Sequence, residues 1–202
     1  MRYDIPNVVV DNVFTEEEIG QIKESVAKNT GSAFVAPHCQ LNNFIQLPEN
    51  IVEKLTQYAI VISGNENVVL TEYCHAVYKN TEKDGVKFRP SLFPHYDETF
   101  KESKFTFDYQ LDGNVDWNIV VEHRVLPLLN NQAATFSGTH QIHWREPKEF
   151  SDDQYVEMLF CHFTDPTMPP KDEATKKFVD AKAKLYKDWY FSNGGFSNEK
   201  TA

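Results

Sequence analysis

Between residues 68 and 163 the chain is cut into short apolar runs separated by turn clusters, and this rhythm constrains the fold more than any other feature. The runs are 68–77, 105–111, 117–121, 133–136 and 156–163. The clusters between them include Lys83-Asp84-Gly85, Asp112-Gly113-Asn114 and Asn130-Asn131. Each run has the length of a strand and is rich in β-branched and aromatic residues. Strands joined by tight turns at this spacing predict an antiparallel barrel or sandwich.

Helical patterning lies on either side. Val8 to Val13 suit a short strand or an extended lead-in. Thr15-Glu16-Glu17-Glu18 is a capping box, in which the Thr15 hydroxyl and the Glu18 carboxylate satisfy free amides at a helix start. Ile19, Ile22 and Val26 follow at helical spacing, and Asn29-Thr30-Gly31 stops the helix. A second helix is expected from Glu49 to about Ile62 on Ile51, Val52, Leu55 and Ala59, ended by Ser63-Gly64-Asn65. A third is expected over 171–190, with Ala174, Phe178, Ala181, Leu185 and Trp189 as its apolar stripe and lysines on the other faces. No linker, repeat or low-complexity stretch interrupts the 202 residues. We read one domain over 1–202: a helical N-terminal segment over 1–67, a β core over 68–165 and the helix 171–190.

The formal net charge of -10 disfavours nucleic acid and anionic membrane surfaces as partners, because like charges repel. The three cysteines, Cys39, Cys74 and Cys161, form no CxxC pair and are expected as free thiols of a reducing compartment. Residues 1–10 do not resemble a signal peptide, and no run is long and apolar enough to span a bilayer. A soluble, cytoplasmic protein is the expectation.

Two places concentrate metal-ligand chemistry: Pro94-His95-Tyr96-Asp97, and His140-Gln141-Ile142-His143-Trp144-Arg145. Residues two apart on a strand point to one side, so His95 and Asp97 can offer an imidazole and a carboxylate to one ion. A histidine from a distant strand would complete a two-histidine, one-carboxylate face, the donor set that suits iron(II) and leaves positions open. His143 is preferred over His140, which sits at the loop-like Gly138-Thr139-His140. By the same alternation Arg145 shares a side with His143. Its guanidinium is a suitable bidentate anchor for a carboxylate.

These segments, with Thr135-Phe136-Ser137-Gly138 and Met158-Leu159-Phe160-Cys161-His162-Phe163, resemble the 2-oxoglutarate/Fe(II)-dependent dioxygenase superfamily, in its prolyl-hydroxylase-like branch. The resemblance spans about residues 68–165. It implies a mainly β double-stranded β-helix, a cupin-like jelly roll, with flanking helices. It implies His95, Asp97 and His143 as iron ligands and 2-oxoglutarate as co-substrate, with ascorbate as a further additive. The implied reaction couples oxidative decarboxylation of 2-oxoglutarate by O2 to hydroxylation of a small molecule, an amino acid or a peptidyl residue such as proline. Many members carry a basic residue for the distal carboxylate in the stretch after the second histidine. This chain has no Lys or Arg between Lys148 and Lys171. Arg145 is therefore the first choice, with Arg124 and Lys148 behind it, and Tyr109 matches a position that hydrogen-bonds the co-substrate in some members.

Plainer readings stand beside these. His95 to Asp97 could be a solvated turn, and Arg145 could pair with Glu146 or Glu149 at a rim. His162 reads as a core histidine, His75 and His123 as structural or exposed, and the adjacent pairs His38-Cys39 and Cys74-His75 as unsuited to chelation, since neighbours on a strand face opposite ways. A cupin-like barrel that binds metal without using 2-oxoglutarate is the alternative function. The long connection 80–94 is expected as a lid or a peptide groove.

Overall fold

The computed structural model describes residues 5–28, 33–36, 39–42, 45–83, 85–97 and 104–195. The order of elements is β1 (Val9–Val10), α1 (Glu16–Lys28), β2 (Ala33–Ala36), β3 (Cys39–Asn42), α2 (Glu49–Ser63), β4 (Val69–Lys79), β5 (Thr81–Lys83), β6 (Val86–Phe88), β7 (Lys104–Gly113), β8 (Ile119–Val121), β9 (Arg124–Leu126), β10 (Gln132–Phe136), β11 (His143–Arg145), β12 (Tyr155–Thr164) and α3 (Glu173–Ser192). The chain is mainly β with three helices.

The helix ends follow the local chemistry. In α1 the Thr15 amide donates to Glu18 Oε2 at 2.7 Å and the Glu18 amide to Thr15 Oγ1 at 3.3 Å, both halves of the capping box. Helix α2 ends at Gly64, whose φ of 64° is open to glycine and lets its amide reach the Ile60 carbonyl. Asp172 caps α3 by accepting from the Thr175 amide at 2.6 Å. The expected stop at Asn29-Thr30-Gly31 and residue His38 lie outside the described residues.

Two sheets form the body. The larger has strand order β1-β10-β7-β12-β4-β3-β2, and the smaller has order β11-β8-β9. All their pairings are antiparallel. A non-consecutive order of this kind means that the chain crosses repeatedly between the two sheets. The strand β7 shows how the layers arise. Its residues alternate between aromatic or aliphatic (Phe105, Phe107, Tyr109, Leu111) and polar (Thr106, Asp108, Gln110). The first set packs with Phe14, Ile22, Ile51 and Leu55, which places α1 and α2 on that face. The second set points the other way, because strand side chains alternate.

A second core lies between the sheets. Trp117, Ile119, Val121 and Leu126 of the smaller side meet Ala76, Tyr78, Ala134, Phe136, Val156 and Met158 of the larger one. A third joins the outer face of the smaller sheet, through Val120 and Trp144, to Val179, Ala183, Tyr186 and Tyr190 of α3. The result is four layers: helices, large sheet, small sheet, helix.

One expectation is corrected. The apolar stripe read on α3 is not its buried face, since Phe178, Leu185 and Trp189 are 66%, 70% and 55% exposed while Val179, Ala183 and Tyr190 are buried. Aromatic and aliphatic residues at 178, 185 and 189 are shadowed one position later by 179, 186 and 190, so helical periodicity alone gives two stripes about 100° apart. The docking surface of Val120 and Trp144 selects the second. Within the connection 80–94, β5 and β6 pair as a hairpin.

Candidate metal centre

The smaller sheet carries the site. His95 pairs with His143 as an isolated antiparallel bridge, the His95 amide donating to the His143 carbonyl at 3.1 Å and the His143 amide to the His95 carbonyl at 2.9 Å. The Arg145 amide donates to Leu92 O at 2.9 Å, so residues 92–95 run beside β11. The Asp97 amide continues to Gly138 O at 2.8 Å. Tyr96, between His95 and Asp97, points outward and donates its hydroxyl to Asp180 of α3. That contact fixes the outer side of the segment while His95 and Asp97 face in.

The ligand atoms of His95, Asp97 and His143 lie within 4.8 Å of one another. His143 Nε2 stands 3.7 Å from Asp97 Oδ1, and the two imidazole centroids are 4.2 Å apart. Each histidine hydrogen-bonds a backbone carbonyl through Nδ1, His95 to Phe93 O at 2.9 Å and His143 to Gln141 O at 3.1 Å. A carbonyl can only accept, so Nδ1 carries the proton and Nε2 presents its lone pair. Burial, the dominant cause, pushes both rings down to about 4; in His95 the neighbouring His143 adds to this, opposed by Asp97. Both rings are therefore neutral at neutral pH, the form that can bind a metal.

Asp97 Oδ2 is buried with no hydrogen-bond partner. An orphaned carboxylate oxygen beside two imidazole lone pairs is costly unless a cation meets it. Gly138 makes the room, since a Cβ there would lie 2.0 Å from Asp97 Oδ2 and 2.3 Å from Thr106 Oγ1. The residues present would fit a metal that takes two imidazoles and a carboxylate, and the lack of thiolate in the donor set argues against a structural zinc site.

Arg145 lies deep between the sheets, 1% exposed. One guanidinium nitrogen donates to the Trp117 carbonyl, another lies 3.3 Å from Met158 Sδ, and the cation sits 4.9 Å from the Trp117 ring centre. The rim ion pairs with Glu146 or Glu149 do not form; Glu149 pairs with Arg89.

The other sequence candidates fall elsewhere. Tyr109 is on the helix-facing side of β7, edge-on to Phe14 at 5.0 Å, with its hydroxyl donating to Asn131 at 3.2 Å. Strand alternation turns it away from the interior that Arg145 occupies. Arg124 is exposed at the start of β9, and its side chain makes no hydrogen bond or ion pair among the described residues. Lys148 donates to the Asp116 carbonyl at 2.5 Å. His140 bonds Ser137 and Thr139 through Nδ1 and does not belong to the donor cluster. His75 is buried against Glu157 at 2.6 Å, and His123 is exposed beside Tyr186. Cys74 and Cys161 are free thiols.

Sequence reasoning missed the lining from β7 and β12. Thr106 touches the Asp97 pocket and bonds His162 Nδ1 at 3.3 Å, and His162 is near enough to weigh electrostatically on His143. Asp108, two residues on, is 4% exposed and electrostatically coupled to Arg145 and Asp97. The signal was present: polar residues alternating with aromatics on one strand mark a wet interior face.

No family model matches the chain, and no curated protein matches it. Solved structures do. The non-heme alpha ketoglutarate dependent epimerase SnoN of nogalamycin biosynthesis is 14% identical, with 89% of this chain and 86% of that one covered and a TM-score of 0.64. SnoN has also been solved with Fe3+, alpha ketoglutarate and nogalamycin RO. An oxidoreductase of the 2OG-Fe(II) oxygenase family from Burkholderia pseudomallei is 12% identical, with coverages of 84% and 90% and a TM-score of 0.60. A prolyl hydroxylase from Trichoplax adhaerens, in complex with a hypoxia inducible factor peptide fragment, is 9% identical, with coverages of 80% and 84% and a TM-score of 0.52. At such identities the likeness is one of fold. The chain thus has the fold of the 2-oxoglutarate/Fe(II) oxygenases, prolyl hydroxylases among them.

Proposed function

We propose that this protein is a non-haem iron(II) dioxygenase that couples oxidative decarboxylation of 2-oxoglutarate to hydroxylation of a substrate, on a double-stranded β-helix. One observation carries the reading: two neutral imidazoles and an orphaned carboxylate oxygen converge inside the fold that these enzymes use. His95, Asp97 and His143 would hold the metal. When bound, iron(II) with 2-oxoglutarate supplies O2 activation; the chain supplies position and exclusion of water. The backbone pair between His95 and His143 fixes the spacing of two ligands. Arg145 offers the buried positive charge for the distal carboxylate of the co-substrate. Phe136, centred 4.6 Å from the His143 ring, closes one wall against water.

The substrate would be a small molecule, an amino acid or a peptidyl residue. The same fold serves an epimerase as well as a hydroxylase, so hydroxylation is the finer element of the proposal. Among the described residues no helix is long and apolar enough to cross a membrane.

A second reading, a metal-binding barrel of cupin type without 2-oxoglutarate chemistry, draws on one fact. Arg145 already donates to Trp117, and β12 carries no lysine or arginine. One experiment separates the two. Anaerobic protein loaded with iron(II) is titrated with 2-oxoglutarate, and succinate is measured after O2 is admitted. The oxygenase reading expects a metal-to-ligand absorption band and succinate in wild type, and neither in His143→Ala. Wild type giving neither leaves only the metal-binding barrel.

A further inference from the structure

We infer that Asp108 completes the carboxylate end of the co-substrate pocket, donating its acid O–H beside the Arg145 guanidinium to the distal carboxylate of the keto diacid. This rests on the 2-oxoglutarate reading above and adds to it a residue of unexpected sign.

Four observations converge on Asp108. First, strand alternation puts it on the interior face of β7, between Thr106, which borders Asp97, and Gln110. Its cross-strand partners are Ala134 on β10 and Phe160 on β12, so its flanks are apolar. Second, it is 4% exposed. Third, its carboxyl has no hydrogen-bond partner among the described residues. Fourth, it feels both Arg145 and Asp97 electrostatically, yet forms an ion pair with neither.

An ionised carboxylate in that position would be expected to collapse onto the guanidinium, because an unpaired buried charge is strongly unfavourable. The two groups stand outside ion-pair distance of each other. Arg145 spends two of its five N–H donors on Trp117 and Met158, and the rest remain for a ligand. A carboxylate in the gap can accept from Arg145 on one side and from a neutral acid on the other. The apolar flanks favour the neutral form of Asp108, and burial pushes its carboxyl up to about 8 against the opposing pull of Arg145. A protonated acid thereby becomes a donor to an anion it would otherwise repel.

The test uses full-length protein loaded with manganese(II) under anaerobic conditions and calorimetric titration with 2-oxoglutarate. Asp108→Asn retains a donor of the same shape and is expected to bind within about threefold of wild type. Asp108→Ala is expected to bind about tenfold more weakly, since a donor to a charged group is lost. A 2-oxo monoacid of similar length, lacking the distal carboxylate, is expected to bind wild type and Asp108→Ala alike. Circular dichroism melts establish that the variants fold, and Asp108→Val, which also lacks a donor, serves if alanine does not. Equal or tighter binding of 2-oxoglutarate by the folded alanine or valine variant overturns the inference, as does an equal loss with the monoacid. Wild type that binds metal but no 2-oxoglutarate overturns the functional reading beneath it, and the inference with it.

Discussion

His95 and His143 exchange both of their backbone hydrogen bonds, at 3.1 and 2.9 Å, so the two imidazoles are held by the same rungs that extend the smaller sheet. The spacing of the donors is therefore a property of strand register and not of side-chain flexibility. A ligand lost from this pair leaves the backbone bridge intact. His143→Ala and Asp97→Ala are thus expected to fold, with melting midpoints near that of the metal-free wild type. The rise in midpoint that wild type shows on adding manganese(II) or iron(II) should vanish in both. A full metal-dependent rise in either variant would remove these residues from the centre.

Gly138 is the second place where the backbone shapes the donor cluster. A methyl at this position meets the Asp97 carboxylate at 2.0 Å and the Thr106 hydroxyl at 2.3 Å, so one of them must move. Gly138→Ala is expected to weaken metal affinity by about ten- to a hundredfold, the usual cost of disturbing a ligand's surroundings. Competition with a metal-sensitive chelating dye measures it. An unchanged affinity would mean that the carboxylate is not a ligand.

Tyr109 and Phe107 separate packing from chemistry. Tyr109→Phe removes one hydrogen bond to Asn131 and should cost about 1 kcal/mol of stability in urea titrations, with co-substrate affinity unchanged. Phe107→Ala should cost about 3–5 kcal/mol, because the ring is fully buried against α2, stacked on Tyr58 at 5.9 Å.

The metal-free protein should respond to pH in two windows. His95 and His143 have folded values lowered to about 4, below the ordinary histidine value near 6.5. The unfolded chain binds more protons between these limits, so stability should fall as pH drops from about 6.5 to about 4. Asp108 has the opposite sign. Its folded value is raised from 3.8 to about 8, so the folded state holds a proton that the unfolded chain has lost. Below pH 6.5 the two histidines outweigh it. Above that, stability should decline as pH rises to about 8, and Asp108→Asn should flatten the decline. Denaturant midpoints at pH 6.5 and 8, compared between wild type and variant, decide the matter.

What the sequence disclosed was local. His95 with Asp97, and His143 with Arg145, were legible because alternation on a strand is fixed by backbone geometry. The capping box at Thr15 and Glu18 was legible for a similar reason: the partners lie within one turn. Choices between two faces were harder. On β7 the pattern shows that odd and even residues diverge, but not which set the helices will cover, and Tyr109 lies on the covered side against Phe14. On α3 two overlapping apolar stripes competed, and the shape of a sheet far away in the chain chose between them. Arg124 carries the right charge, yet its place at a hairpin turn leaves it in solvent.

The two-sided character of β7 has a consequence for how such a protein can change. Because its aromatics serve one neighbour and its polar groups another, a slip by one residue would drive Thr106, Asp108 and Gln110 into oil and push Phe105, Phe107 and Tyr109 towards the cluster of His95, Asp97 and His143. Insertions in this ribbon should be ruinous, whereas exchanges at its even-numbered positions change the wall of the candidate site and leave the helix-facing packing intact.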